Sequence, residues 1–301
     1  MYESFYNLNE KPFSILPDPS YLYFGKRHTL AYTMLQYGVE HRAGFTVITG
    51  EVGCGKTTLI RHLLNNLDQS ITVGLISNTH KEIGELLKWV LLSFEQPYDS
   101  TDKVALFDRL QRFLIEEYGR GHRTVLIVDE AQNLAGDTLE ELRMLSNINA
   151  DKDQLLQIVL VGQPQLKVLL RRPELEQFMQ RVSSDFHIAP LSAKEVAVYI
   201  NHRCAMAGRN EMLFVGKAVE RIAEETGGVP RKINILCDTA LVYGYSQEAR
   251  MITGEIIDEV LKDKAEYGVF GTDGAATESV VDNPRPKVVG LPLCPEDGNK
   301  S

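Results

Sequence analysis

The feature that most constrains this chain is a glycine-rich loop set between an apolar run and a helix former. Gly50-Glu51-Val52-Gly53-Cys54-Gly55-Lys56-Thr57 follows the β-rich stretch Phe45 to Thr49 and opens a helical stretch from Lys56 to about Leu67. Glycines at these positions let the backbone wrap an anion and turn its N–H groups inward. The helix N-terminus behind the loop adds a favourable dipole. The spacing G-x-x-x-x-G-K-[ST] between a strand and a helix is that of a phosphate cradle. Lys56 brings a positive charge to the β- and γ-phosphates, and Thr57 offers a hydroxyl to Mg²⁺. The expected nucleotide-binding residues are Gly50, Glu51, Val52, Gly53, Cys54, Gly55, Lys56, Thr57 and Thr58.

A second signature lies downstream. Thr124 to Val128 is an uninterrupted apolar run that ends in Asp129 and Glu130. An acid at the tip of a buried strand can hold Mg²⁺ through water, and the next acid can orient and deprotonate an attacking water. The pair is expected to face the glycine loop across neighbouring strand tips and share one magnesium ion with it. A third apolar run, through Val159-Leu160-Val161-Gly162, ends in Gln163. If it lies beside the Asp129 strand, Gln163 can bond the γ-phosphate or the water; otherwise it caps the helix near Pro164. The body of the chain has no N-K-x-D motif to read guanine, which favours ATP.

Between these motifs apolar runs alternate with amphipathic helical stretches. Ile71 to Ile76 and Leu156 to Val161 read as buried strands, and Phe186 to Ile188 as a short last one. His28 to His41, Ile83 to Phe94 and Val104 to Tyr118 read as helices, further helical segments follow Pro164 and Pro173, and Asp137-x-x-Glu140 reads as a capping box. Buried strands alternating with helices imply an α/β fold, a P-loop parallel sheet with helices on both faces. After Pro190 only helices are expected, opened by the box Ser192-x-x-Glu195. The division is 1–44, an aromatic and proline-rich strap plus a helix packing on the core; 45–190, the sheet domain; 191–267, an all-α lid; and 268–301, a disordered tail.

Composition narrows the class. The 301 residues carry a formal charge of -9, which disfavours a protein that coats nucleic acid by charge alone. Four cysteines without C-x-x-C spacing suit a reducing compartment, and Cys54 is read as a tolerated small residue or a redox-sensitive one. The seven histidines are scattered and read as surface or core residues rather than ligands. No apolar run approaches the length of a membrane span, so a cytoplasmic protein is expected.

Taken together, the nucleotide motifs, the strand ending in Gln163 and the lid helix opened by Gly228-Val229-Pro230-Arg231 resemble those of AAA+ ATPases. More narrowly, Met1-Tyr2-Glu3-Ser4-Phe5-Tyr6, Lys11-Pro12-Phe13-Ser14, Pro17-Asp18-Pro19, Tyr37-Gly38-Val39-Glu40, Asp129-Glu130-Ala131-Gln132, Val161-Gly162-Gln163-Pro164, Gln180-Arg181-Val182 and Pro230-Arg231-x-Ile233-Asn234 are similar to the ExeA/GspA-like secretion ATPases, including the subfamily of exopolysaccharide and exosortase (PEP-CTERM) loci. The resemblance implies ATP hydrolysis with Mg²⁺, a homo-oligomer, and a role in an envelope secretion or polymer-assembly machinery, with any membrane contact made through a partner. It implies that Arg181 is an arginine finger and Arg231 a sensor of the lid. Tyr23 to His28 is the segment expected to border adenine. Relatives that bind DNA in transposition leave DNA as the alternative partner, and a P-loop kinase or a switch with little turnover stays open.

Overall fold

The computed structural model describes residues 1–40, 44–77, 85–150 and 153–267. The tail 268–301 and the expected helix start at Ile83 lie outside the described residues. Two compact units are present, Met1–Lys262 and Asp263–Ser301. Of the second, only the last residues of one helix, Asp263 to Tyr267, are described.

The elements in chain order are α1 (Lys26–Glu40), β1 (Phe45–Gly50), α2 (Lys56–Asn66), β2 (Ile71–Ile76), α3 (Leu86–Ser93), α4 (Lys103–Gly119), β3 (Arg123–Val128), α5 (Gly136–Leu145), the two-residue strands β4 (Asn149–Ala150) and β5 (Asp153–Gln154), β6 (Leu156–Gly162), α6 (Gln165–Leu170), α7 (Glu176–Met179), β7 (Val182–Ile188), α8 (Ala193–Met206), α9 (Gly216–Thr226), α10 (Pro230–Ser246) and α11 (Gly254–Tyr267). The expected α/β architecture is present: a five-stranded parallel sheet in the order β2-β3-β6-β1-β7. β1 and β3 are not neighbours, contrary to the expectation; β6 lies between them. The strand that ends in Gln163 therefore separates the glycine loop from the paired acids.

Both faces of the sheet are buried, and the period of two shows how. Leu126, Val128, Ile158 and Leu160 point into one apolar cluster with residues of α3, α4, α5 and α6. Val125, Ile127, Val159 and Val161 point into the other, with Ala31, Leu35 and Val39 of α1 and Leu59, Ile60 and Leu63 of α2. A one-residue slip of β3 or β6 would swap these two sets, so the register is strongly specified. With all strands parallel, Gly50, Asp129 and Gln163 emerge at the same edge of the sheet, the carboxyl ends, where open α/β folds bind ligands.

Two local readings differ. The box expected at Asp137-x-x-Glu140 is not formed: α5 begins at Gly136 with Ala135 at its N-cap, and Glu140 instead accepts from Nε of Arg143 at 2.7 Å. Asp137 still favours that helix start, because it sits in the first turn against the positive end of the dipole. The box at Ser192 and Glu195 is formed in both directions.

The strap also goes elsewhere than expected. Tyr2, Tyr6, Leu8 and Phe13 are buried among α8, α9, α10 and α11 rather than on the sheet, while α1 packs on the sheet with α2. Phe13 meets Phe214 edge-on with ring centroids 5.7 Å apart, and the Tyr6 hydroxyl donates to the Ala249 carbonyl at 3.1 Å. The four lid helices thus close their core with the start of the chain. Phe13→Ala is expected to cost about 3–5 kcal/mol, the usual loss for a fully buried phenylalanine. Urea unfolding of the full chain measures it, and a loss below about 1 kcal/mol would remove the strap from the folding unit. No helix among the described residues is long and apolar enough to cross a membrane.

Candidate nucleotide site

At the carboxyl edge of the sheet the expected residues converge. The loop after β1 holds Gly53 at φ 83° and Gly55 at φ 87°, left-handed values that glycine adopts without strain. At Gly53 the need is doubled. A Cβ there would lie 2.5 Å from Cβ of Arg231, because the start of α10 rests on the loop and the Arg231 N–H donates to the Gly53 carbonyl at 3.2 Å. Arg231 thus stands at the loop of its own chain. Lys56 is buried and donates through Nζ to the carbonyls of Gly50 and Glu51, at 2.8 and 3.0 Å. Burial pushes its pKa down, opposed chiefly by the Glu130 and Asp129 charges.

Across the loop, the Thr57 hydroxyl donates to Oδ2 of Asp129 at 3.1 Å. Two hard oxygen donors at this separation, one neutral and one anionic, suit Mg²⁺, which takes few protein ligands and keeps its other positions for water and phosphate. The Asp129 carboxyl is raised above the usual range by burial, against the N–H of Glu130 and the Thr57 hydroxyl, which both favour its charged form. Glu130 follows at φ 52°, the left-handed region, which costs a non-glycine residue free energy. That turn aims the carboxylate toward β6. Its Oε2 accepts from Nε2 of Gln132 at 2.6 Å and from Nε2 of Gln163 at 3.1 Å. Oε1 of Gln132 in turn accepts from the Gln163 N–H at 2.9 Å. Gln163 makes no side-chain cap for α6, whose N-cap is Pro164.

Three further expectations concern Arg181, Cys54 and the segment Tyr23 to His28. Arg181 directly precedes β7, whose first residue pairs with Phe45, so it stands at the amino edge of the sheet, away from its own loop. The Cys54 side chain points into the apolar cluster between sheet and α1, and burial pushes its thiol up. A protonated, enclosed thiol is a poor redox sensor, so the packing reading holds and the redox one does not. The expected border segment, Tyr23 to His28, contributes those two residues to the cleft, and part of the remaining wall comes from the strap ahead of it.

The cleft runs from Lys56, Thr57 and Glu130 past Gly53 and Arg231 to Ser14, Pro17 and Tyr21 of the strap, and to Tyr199, Arg203 and Asn234 of the lid. A hydrogen-bonded clamp closes this far end. Arg203 is buried and donates to the carbonyls of Pro12 and Ser14 and to the Tyr199 hydroxyl, with its guanidinium 4.7 Å from the Tyr21 ring. Tyr199 donates to Oδ1 of Asn234 at 2.8 Å, and Nδ2 of Asn234 donates to the Ser14 carbonyl at 3.2 Å. These residues carry no signal in the sequence beyond helical periodicity. Their partners lie 4 to 220 positions away.

The whole arrangement has known counterparts. Residues 39–170 match the family model described as AAA domain. The match spans under half of the chain. Its fold is shared with the ORC2 protein of Aeropyrum pernix, at a TM-score of 0.63 and 16% identity over 85% of this chain and 71% of that one. It is shared as well with Cdc6p of Pyrobaculum aerophilum, at 0.62 and 16% over 82% and 71%. In sequence, 258 residues are 40% identical to general secretion pathway protein A of Aeromonas hydrophila, which is 85% of this chain and 47% of that relative. The chain therefore spans about half the length of that relative. Within the matched residues fall the glycine loop, the paired acids, Gln132 and Gln163; Arg181, Arg231 and the lid half of the clamp lie beyond the last of them, and Pro12, Ser14 and Tyr21 before the first.

His28, His187 and His202 all have pKa values lowered by burial, so their charged forms are disfavoured in the folded chain. The unfolded chain binds these protons more readily, near pH 6.5, and stability therefore rises with pH through the window below that value. The melting temperature is expected to fall between about pH 7.5 and pH 5.5. A scanning-fluorimetry profile flat over that window would contradict the burial of these rings.

Proposed function

We propose that this chain is an Mg²⁺-dependent ATPase of the ExeA/GspA secretion type, which couples hydrolysis to movement of its helical lid. The contact that carries the reading is the one between Thr57 and Asp129, 3.1 Å, beside a buried Lys56. It joins a phosphate cradle to a metal-holding acid from a strand two places away. In this reading the N–H groups of residues 53 to 58 and Lys56 hold the β- and γ-phosphates, and Thr57 and Asp129 hold Mg²⁺. When bound, the ion neutralises charge on those phosphates. Glu130 orients and deprotonates the attacking water. Gln163 bonds the water or the γ-phosphate, and in doing so exchanges its bond to Glu130 for one to substrate. Arg231, seated on Gly53, reports the phosphate to the lid, and Arg181 serves the site of an adjoining copy in a homo-oligomer.

The biological role follows from the sequence relative. Its name places general secretion pathway protein A in secretion, and 40% identity over 85% of this chain supports a role of that type here. The finer role, energising or regulating the assembly or export of an envelope polymer or protein, rests on the resemblance of the opening and lid motifs to the exopolysaccharide and exosortase subfamily. Membrane contact would be made through a partner at the inner face. The direct test is phosphate release from Mg·ATP by the wild type and by Lys56→Ala. The wild type is expected to turn over, and Lys56→Ala to lose both turnover and most nucleotide affinity. A wild type that binds no Mg·ATP in calorimetry would overturn the reading.

A further inference from the structure

We propose that His28 is a positioning residue of the nucleotide site: its Nε2–H holds the Cys54 carbonyl and keeps the glycine loop in its anion-cradling form. The proposal rests on the nucleotide reading above and adds to it a residue that lies outside both nucleotide motifs.

A loop that turns its N–H groups inward must turn its carbonyls outward, and each buried carbonyl then needs a donor. Three of these carbonyls are served by the loop and its own helix. Gly50 and Glu51 receive Nζ of Lys56, Glu51 also receives the Cys54 N–H at 3.2 Å, and Gly55 receives the Leu59 N–H at 2.9 Å. Two are served from outside. Gly53 receives the Arg231 N–H of α10, and Cys54 receives Nε2 of His28, from the first turn of α1, at 2.8 Å. Because a carbonyl can only accept, the proton on the imidazole sits on Nε2.

The other ring nitrogen shows why a histidine stands here. Nδ1 of His28 is buried without a hydrogen-bond partner, and burial disfavours the charged ring. An orphaned buried acceptor is a cost that leucine or phenylalanine in the same place would avoid. Packing alone does not explain the imidazole; the single bond to Cys54 does. The ring also stands close against the loop: a Cβ on Gly55 would be 3.3 Å from Nε2. The start of its helix lies beside the lid: a Cβ on Gly25 would be 3.2 Å from Oε1 of Glu195, in the α8 capping box. The position of the ring, and with it the Cys54 carbonyl, thus follows from the contact between α1 and α8.

The test compares Mg·ADP affinity by calorimetry, and ATP turnover split into kcat and KM, in the full-length wild type, His28→Phe, His28→Gln and His28→Asn. Glutamine brings an amide N–H to the place of Nε2, and asparagine brings one only as far as Nδ1. His28→Phe is expected to bind at least about ten-fold more weakly, the scale set by one unsatisfied buried carbonyl. His28→Gln is expected to recover most of that loss and His28→Asn little of it. Where His28→Phe does not fold, the Gln and Asn variants still decide: equal affinities in both would overturn the proposal. A folded His28→Phe with wild-type affinity would overturn it as well, with the ATPase reading intact. A wild type that binds no Mg·ADP would remove the ATPase reading and this inference together. On ¹⁵N-histidine-labelled wild type, the Nε2–H tautomer is the expected signature of His28, and the Nδ1–H tautomer would contradict it.

Discussion

Glu130→Gln is expected to lower ATP turnover by at least about 100-fold, within the range for removal of a general base, while Mg·ATP affinity stays within about three-fold of the wild type. The reason lies in what each group holds. Phosphate and metal would be held by the loop amides, Lys56, Thr57 and Asp129, none of which needs the Glu130 side chain. Glu130 contributes an acceptor, already shaped by two donors: Gln132 at 2.6 Å and Gln163 at 3.1 Å reach the same carboxylate oxygen. The amide keeps the size and one acceptor oxygen, so the network survives, but it takes no proton from water. The measurement is steady-state phosphate release beside calorimetry on the same preparation. A variant that keeps more than about a tenth of wild-type turnover would remove Glu130 as the base.

Arg181→Ala is expected to lose about 10³-fold or more in turnover, the usual effect of removing an arginine finger, with no change in the affinity of the isolated chain for nucleotide. In that reading the action is between copies. Val182 pairs with Phe45 at the start of β1, and the loop begins after Gly50 at its end. Six strand residues at about 3.3 Å each put Arg181 some ~20 Å from its own phosphate cradle, well beyond the reach of one side chain. Two consequences can be measured together. Specific activity of the wild type should rise with protein concentration as copies associate. Mixing Arg181→Ala with Lys56→Ala should restore turnover that neither has alone, because the Lys56→Ala copy supplies Arg181 to an intact loop on its neighbour. Full activity in Arg181→Ala, or a rate per chain flat with concentration, would exclude the finger.

How far the sequence could be read depended on the range of each interaction. The glycine loop is local: its residues are contiguous, and a strand before and a helix after decide its shape. The same holds for β3, whose run of apolar residues ends in Asp129 because a buried strand must stop where a charge begins. Helix ends were legible where a box is self-contained, as at Ser192 and Glu195, and misread at Asp137, where the helix, with Leu139 and Leu142 packed on the sheet side, starts two residues earlier than the pattern suggests. The strap shows the limit most clearly. Its aromatics demanded burial, but nothing in their spacing says whether the sheet or the lid provides it.

From residue type and spacing alone came the cradle, the acid pair, the parallel sheet and the all-helical region, since each is set by periods of two or 3.6 and by short turns. The tertiary structure alone decided that β6 lies between the cradle and the acids, that Gln132 and Gln163 share Glu130, that Arg203 clamps the strap, and that His28 carries the Cys54 carbonyl. These are pairings of donors with acceptors 2 to 191 positions apart, and most of them exist because two hydrophobic surfaces met in one particular way. A chain's pattern tells each surface to be buried; only the completed packing tells which polar groups are left facing one another and must pair.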